Sequence, residues 1–227
     1  MSQQLTFDLP AIQNRSRGDF FVAPSNALAF QMVESWTDWP GRKLILSGPQ
    51  GAGKTHLAHV WAQQAAAKIV PVAKLLALDT AALAGENVAV DGADLVAGDP
   101  DAETALFHLH NLILAEGGHL LLTARTPARD WGLALPDLQS RMNAAAIIQL
   151  EAPDDALLAA VLVKLFNDRQ ITVTPALITY LIPRMRRSLA EAARLVEALD
   201  QAALRSKRPI TRQLAAEVLD NLDQSGA

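Results

Sequence analysis

The chain has 227 residues, half of them apolar, and carries 20 lysines and arginines against 24 aspartates and glutamates, a formal net charge of −4. It has no cysteine, which excludes disulfides, thiolate metal sites and cysteine nucleophiles and fits a reducing cytoplasm. The charge balance lacks the clustered basic excess that duplex binding draws on, so any contact with DNA is expected to be indirect. No run approaches the roughly 20 apolar residues of a membrane-spanning helix, and no basic-then-apolar leader opens the chain, so no membrane partner is expected.

In chain order, residues 1–18 read as a flexible tail, since an apolar-polar hexad gives way to Gln13-Asn14-Arg15-Ser16-Arg17-Gly18 with no continuing period. From Pro24 a helix is expected, with Ser25 or Asn26 as cap and Leu28, Phe30, Met32 and Val33 as its apolar residues. Lys43-Leu44-Ile45-Leu46-Ser47 is a strand that runs into a glycine-rich turn and then a helix over 54–67. Further strands are expected at 68–72, 87–91, 119–124 and 146–150, with a helix over 101–116 among the intervening segments. Strands alternating with helices imply a parallel, five-stranded α/β sheet with covered faces.

After Pro153 the strands stop. Four alanine- and leucine-rich segments follow at about 154–168, 175–185, 188–206 and 211–223, and apolar stripes (Leu158, Leu162, Leu165; Ala192, Val196, Leu199, Ala203; Leu214, Val218, Leu222) give the first, third and fourth a face to bury. The expected organisation is therefore a tail (1–18), an α/β nucleotide-binding domain (19–152) and a small all-helical lid (153–227).

Gly48-Pro49-Gln50-Gly51-Ala52-Gly53-Lys54-Thr55 fits G-x-x-x-x-G-K-[ST] without a gap, between strand and helix. Glycines there let backbone N–H groups turn onto phosphates, Lys54 neutralises the β/γ oxygens, and the Thr55 hydroxyl ligates magnesium. His56 follows directly on the helix's first turn and is counted with the nucleotide-binding set. ADP or ATP with Mg2+ is the expected cofactor. Asp91, ending the apolar run Val88-Ala89-Val90, is the candidate magnesium-side acid. The next residue, Gly92, stands where many hydrolysing relatives carry a second acid that polarises the attacking water. Slow intrinsic hydrolysis follows, with Asp94 the nearest substitute. The five histidines (His56, His59, His108, His110, His119) are not expected to form a metal site.

These residues, together with Phe21-Val22-Ala23-Pro24-Ser25-Asn26 and Leu135-Pro136-Asp137-Leu138-Gln139-Ser140-Arg141, resemble the AAA+ domain of the DnaA replication-initiator family, and above all its short Hda-type members. The resemblance covers nearly the whole chain. It implies that Val22 and Asn26 lie beside adenine and ribose, that Thr123 is in the first sensor segment, and that Arg141 is an arginine finger offered to nucleotide on a neighbouring subunit. At the second sensor, where the family presents an arginine, Ala190 stands here; Arg194, one helical turn on, is the candidate substitute, with Arg186 and Arg187 just before.

Gln4-Leu5-Thr6-Phe7-Asp8-Leu9 resembles the hexapeptide by which Hda-type proteins and several polymerases hold the replisome's sliding clamp (the polymerase beta subunit). Leu5, Phe7 and Leu9 would fill apolar pockets and Gln4 would satisfy polar groups at the rim. Phe7 and Asp8 depart from the commonest Leu-Pro. The family resemblance thus implies a regulatory adaptor that binds the clamp and stimulates hydrolysis of DnaA-bound ATP, limiting re-initiation of replication; self-association into a homo-oligomer is compatible with a finger in trans. The alternative is a self-sufficient ATPase acting as a helicase loader or remodelling motor, against which Gly92 and Ala190 argue. A P-loop kinase of a small metabolite fits the helical lid and Arg141 poorly.

Overall fold

The computed structural model describes residues 20–225, with side-chain surroundings given up to residue 222. Gln4, Leu5, Phe7 and Leu9 lie outside the described residues. The described residues divide into two compact units, 26–151 and a helical unit that runs from 152 onward and includes residues 20–25.

The first unit opens with α1 (Ala27–Glu34), which buries Ala29, Phe30 and Val33. Asn26 occupies the N-cap position, but its side chain makes no capping hydrogen bond. Strands β1 (Lys43–Ser47), β2 (Lys68–Pro71), β3 (Val88–Asp91), β4 (Leu120–Ala124) and β5 (Ala146–Gln149) form one sheet in the order β2-β3-β4-β1-β5. Every pairing is parallel. Helices α2 (Lys54–Ala65), α3 (Pro100–Ala115) and α4 (Pro136–Asn143) follow β1, β3 and β4, and two 3-10 segments (Val72–Ala77, Thr80–Leu83) join β2 to β3. β1, between β4 and β5, is buried at all five residues, as a continuous apolar run in a two-sided sheet requires.

Two buried polar groups fix α3 and α4 in place. The Glu103 carboxylate on α3 accepts backbone N–H groups from Ala134 (3.1 Å), Leu135 (2.7 Å) and Gly98 (3.3 Å), tying down the loop that leads into α4. His110, also on α3, is 2 % exposed; its Nε2 faces Lys43 Nζ at 3.3 Å and its Nδ1 faces Asn111 Oδ1 at 3.2 Å. A cationic donor on Nε2 requires a neutral ring that donates from Nδ1.

In the helical unit, α5 (Asp155–Asp168), α6 (Pro175–Leu181), α7 (Leu189–Ser206) and α8 (Arg212–Ser225) follow one another. Asp154, Thr174 and Ser188 cap the first three by accepting the N–H of Leu157, Leu177 and Glu191. The Ser25 N–H donates to Asp154 Oδ2 at 3.3 Å, which ties the segment before α1 to this unit. α6 is shorter than its apolar pattern predicts: Pro183 has no N–H to continue the ladder, and Ile182–Arg184 tightens into a 3-10 turn. The stripes meet as expected, with Leu162, Phe166, Leu181, Val196, Leu199 and Ala215 completely buried in one core. Among the described residues no helix is long and apolar enough to cross a membrane.

Burial, reinforced by the charges of Lys43 and Arg141 and opposed by the Asn111 hydrogen bond, lowers the His110 pKa to about 4 from 6.5. A folded pKa below the unfolded one means that protons favour the unfolded chain, so the penalty is absent above pH 6.5, grows as pH falls, and levels off below 4. Urea midpoints measured from pH 7.5 to 4 are expected to fall more steeply for the natural protein than for His110→Gln.

Candidate functional site

The site is built at the carboxyl end of β1, where ligands gather in open parallel sheets. The loop from Gly48 to Gly53 leaves the strand and enters α2 with positive φ at Gly48 (147°), Gly51 (76°) and Gly53 (100°). At Gly48 a Cβ would stand 2.4 Å from the Leu150 carbonyl oxygen, so only glycine lets the loop start this close to the chain after β5. Pro49 and Gln50 are exposed at the tip, and Ala52 is buried beneath. Lys54 Nζ reaches back to donate to Gly48 O (2.7 Å) and Pro49 O (2.8 Å), which places the ammonium over the loop's mouth. His56 is exposed on the first turn of α2.

Asp91, at the end of β3, collects the other polar groups. Thr55 Oγ1 donates to its two carboxylate oxygens at 3.0 and 3.1 Å, and Thr123 Oγ1 donates to Oδ1 at 2.6 Å. The Thr123 hydroxyl also accepts the Gly92 N–H at 2.9 Å. Its single proton is therefore spent on Asp91: Thr123 orients that carboxylate. The Thr55 hydroxyl and the Asp91 carboxylate form a hard-oxygen pair suited to Mg2+, an ion that takes one or two protein oxygens and completes its shell with phosphates and water. Donor loop, lysine and oxygen pair together fit a magnesium nucleotide. Among the described residues no cluster of three His, Cys, Asp or Glu side chains offers a metal site of another kind.

Gly92 turns the chain with φ 82°, and a Cβ there would meet Leu95 Cδ1 at 3.3 Å and Val72 Cγ1 at 3.4 Å. An acid side chain at that position would be strained, which accounts for its absence. The left-handed turn delivers Asp94 instead. Its Oδ2 accepts the Arg125 N–H at 3.1 Å, and its Oδ1 is buried with no hydrogen-bond partner. Burial holds the Lys54 ammonium below the usual lysine pKa, while Asp94 and Asp91 pull it up and Arg125 pushes it down. Arg125 is thus a further cation near the phosphate loop that the sequence reading missed; its one signal was its place two residues beyond Thr123 on leaving β4.

Arg141 lies elsewhere in the same unit. It sits in the last turn of α4, exposed, with its guanidinium carbon 5.2 Å from the Phe107 ring centroid, and its carbonyl accepts Lys43 Nζ at 2.7 Å. Lys43 begins β1, whereas the phosphate loop follows its end; four residue steps of roughly 3.3 Å separate the two by about 13 Å. Asn26 is buried at the start of α1. Val22 and Arg194 belong to the helical unit, where Arg194 is exposed on α7, its Nη1 3.8 Å from Glu191, and shares a small cleft with Arg184 and Arg186.

Residues 155–219 match the family model described as the Hda lid domain. The whole architecture is similar to that of domain III of the Thermotoga maritima replication initiation protein DnaA, with a TM-score of 0.79 at 18 % identity over 89 % of this chain and 94 % of that one. Residues 155–219 therefore resemble the lid of Hda-type proteins, and the chain has the fold of a DnaA AAA+ domain. AMPPCP-bound DnaA from Aquifex aeolicus is similar over 82 % of this chain and 65 % of its own, with a TM-score of 0.67 at 15 % identity. An uncharacterized protein of Haemophilus influenzae is 27 % identical over 97 % of this chain and its own full length. The lid match identifies as Hda-like the part of the sequence that carries Ala190 and Arg194.

If Asp91 holds magnesium, Asp91→Asn keeps the size of the side chain but removes the anionic oxygen. Titration calorimetry with ADP is expected to show that the affinity gained on adding Mg2+ shrinks roughly tenfold, equivalent to about 1.4 kcal/mol, while metal-free binding changes little.

Proposed function

We propose that this protein is a member of the Hda/DnaA family, a nucleotide-binding regulator of replication initiation that holds ADP or ATP with Mg2+ at the phosphate loop and acts on a second nucleotide, bound by DnaA, through Arg141. The observation that carries the reading is the separation of the two ends of β1. Arg141 is anchored at the amino end of the strand, while this chain's own phosphate loop opens from the carboxyl end. A guanidinium so placed is suited to nucleotide on a neighbouring molecule, where it would stabilise charge developing in phosphoryl transfer.

In this reading the chain's own nucleotide supplies negative charge and order to the loop, and turnover at that site is incidental. Gly48, Pro49, Gln50, Gly51, Ala52, Gly53 and Lys54 bind phosphate, with His56 at the rim. Thr55 and Asp91 hold the metal, and Thr123 holds Asp91. Val22, Asn26 and Arg194 are assigned to the nucleotide on family grounds. Gln4, Leu5, Phe7 and Leu9 tether the protein to the sliding clamp in the cytoplasm, so DNA is reached through the clamp.

A self-sufficient ATPase working as a loader or motor has one observation in its favour, the unpartnered Asp94 oxygen in the electrostatic neighbourhood of Lys54. One assay separates the readings. DnaA carrying labelled ATP is incubated with clamp loaded on DNA, ADP and this protein. Conversion to ADP is expected to rise with the natural protein. It should fall by about a thousandfold or to background with Arg141→Ala, the scale of a lost arginine finger, and it should fail with Gln4→Ala, Leu5→Ala. No stimulation, with rapid hydrolysis of free ATP by this protein alone, would reject the adaptor reading for the motor.

A further inference from the structure

Lys43 is an anomaly in its strand. The rest of β1 is Leu44-Ile45-Leu46-Ser47, yet the strand begins with a lysine that is only 8 % exposed. Its ammonium partners are the Arg141 carbonyl at 2.7 Å and His110 Nε2 at 3.3 Å, both uncharged acceptors. Desolvation, with the Arg141 charge, pushes its pKa down. A buried cation without a carboxylate is expensive, and an apolar residue would fill the position at lower cost. What the lysine supplies in return is a fixed geometry for α4.

The last carbonyls of a helix lack intrahelical donors. In α4 the N–H of Ala144 closes on Ser140 O and Met142 O, and the Arg141 carbonyl between them is taken by Lys43. The other end of the same residue is held too, since its guanidinium lies over Phe107 at cation–π distance. Phe107 and His110 are three residues apart on α3, neighbours on one helical face. One face of α3 therefore carries both the ring under the Arg141 guanidinium and the imidazole that seats the lysine on its carbonyl.

We infer that Lys43, seated by His110, is a positioning residue for Arg141: it locks the last turn of α4 so that the guanidinium is presented from the Phe107 ring in one orientation before any partner arrives. Preorganisation of this kind acts on the rate at saturation and leaves partner affinity alone, because it removes the search for a productive rotamer. The inference rests on the reading of Arg141 as a finger acting in trans.

The test uses the full-length protein as Lys43→Met, Lys43→Arg, His110→Leu and Arg141→Ala, with two readouts. The first is stimulated conversion of DnaA-bound ATP over a range of DnaA concentrations. The second is the heteronuclear NOE of the Arg141 Nε–Hε signal, assigned by its loss in Arg141→Ala. Lys43→Met is expected to lower the maximal rate roughly 10- to 100-fold, leave the half-saturating DnaA concentration unchanged, and reduce the NOE. Lys43→Arg, which can still donate to the carbonyl, should stay within a few-fold of the natural protein on both. If Lys43→Met does not fold, His110→Leu, which unseats the lysine, should show the same two changes in smaller degree. A natural maximal rate and NOE in the folded variants overturns the inference. If Arg141→Ala itself leaves the rate unchanged, the finger reading fails, and the NOE alone then decides whether Lys43 orders Arg141.

Discussion

The complete burial of β1 between β4 and β5 is the constraint on which the rest of this molecule depends. A strand locked on both edges cannot shift register, so whatever is attached to its ends is held at a fixed separation. At the carboxyl end the chain turns at Gly48 under the Leu150 carbonyl and becomes the phosphate loop. At the amino end Lys43 turns inward and takes the carbonyl of Arg141. One five-residue strand thus holds the glycine-rich loop and the carbonyl of Arg141 at its opposite ends.

The polar chemistry converges on Asp91 for an equally local reason. Two elements bring hydroxyls to a single carboxylate, α2 with Thr55 and β4 with Thr123, and the turn after β3 seats the second by donating the Gly92 N–H to it. The network holds Asp91 between two hydroxyls, and an acid immediately after it would be strained, since residue 92 is in the left-handed region. The acid nearest the loop after Asp91 is displaced to Asp94, one turn further on and fixed by the Arg125 backbone.

Much of this was legible in the sequence because it is periodic or contiguous. Five apolar runs gave five strands to within a residue or two, Leu162 and the stripe of 192, 196, 199 met in one core, and the glycine-rich run from Gly48 turns between a strand and a helix as expected. What escaped is non-local. Lys43, His110 and Arg141 are 67 and 98 residues apart in pairs, and no period links them. Thr123 read as a first-sensor residue; that its proton goes to Asp91 depends on the adjacency of β3 and β4. Asn26 holds the cap position without a capping bond, and residues 20–25 side with the helical unit because Ser25 finds Asp154, 129 positions away. The segment expected at 175–185 ends as α6 at Leu181, because Pro183 interrupts the backbone ladder that its apolar pattern implied.

The central claim is that Arg141 takes no part in this chain's own nucleotide site. The most direct measurement is the affinity for Mg2+-ADP and Mg2+-ATP of the isolated natural protein and of Arg141→Ala, titrated at concentrations where both are monomeric. The account predicts the same dissociation constants, within about twofold, for the two proteins. A loss of tenfold or more in the variant would mean that the guanidinium reaches the chain's own phosphates, and the separation of the two ends of β1 would no longer explain what this protein does.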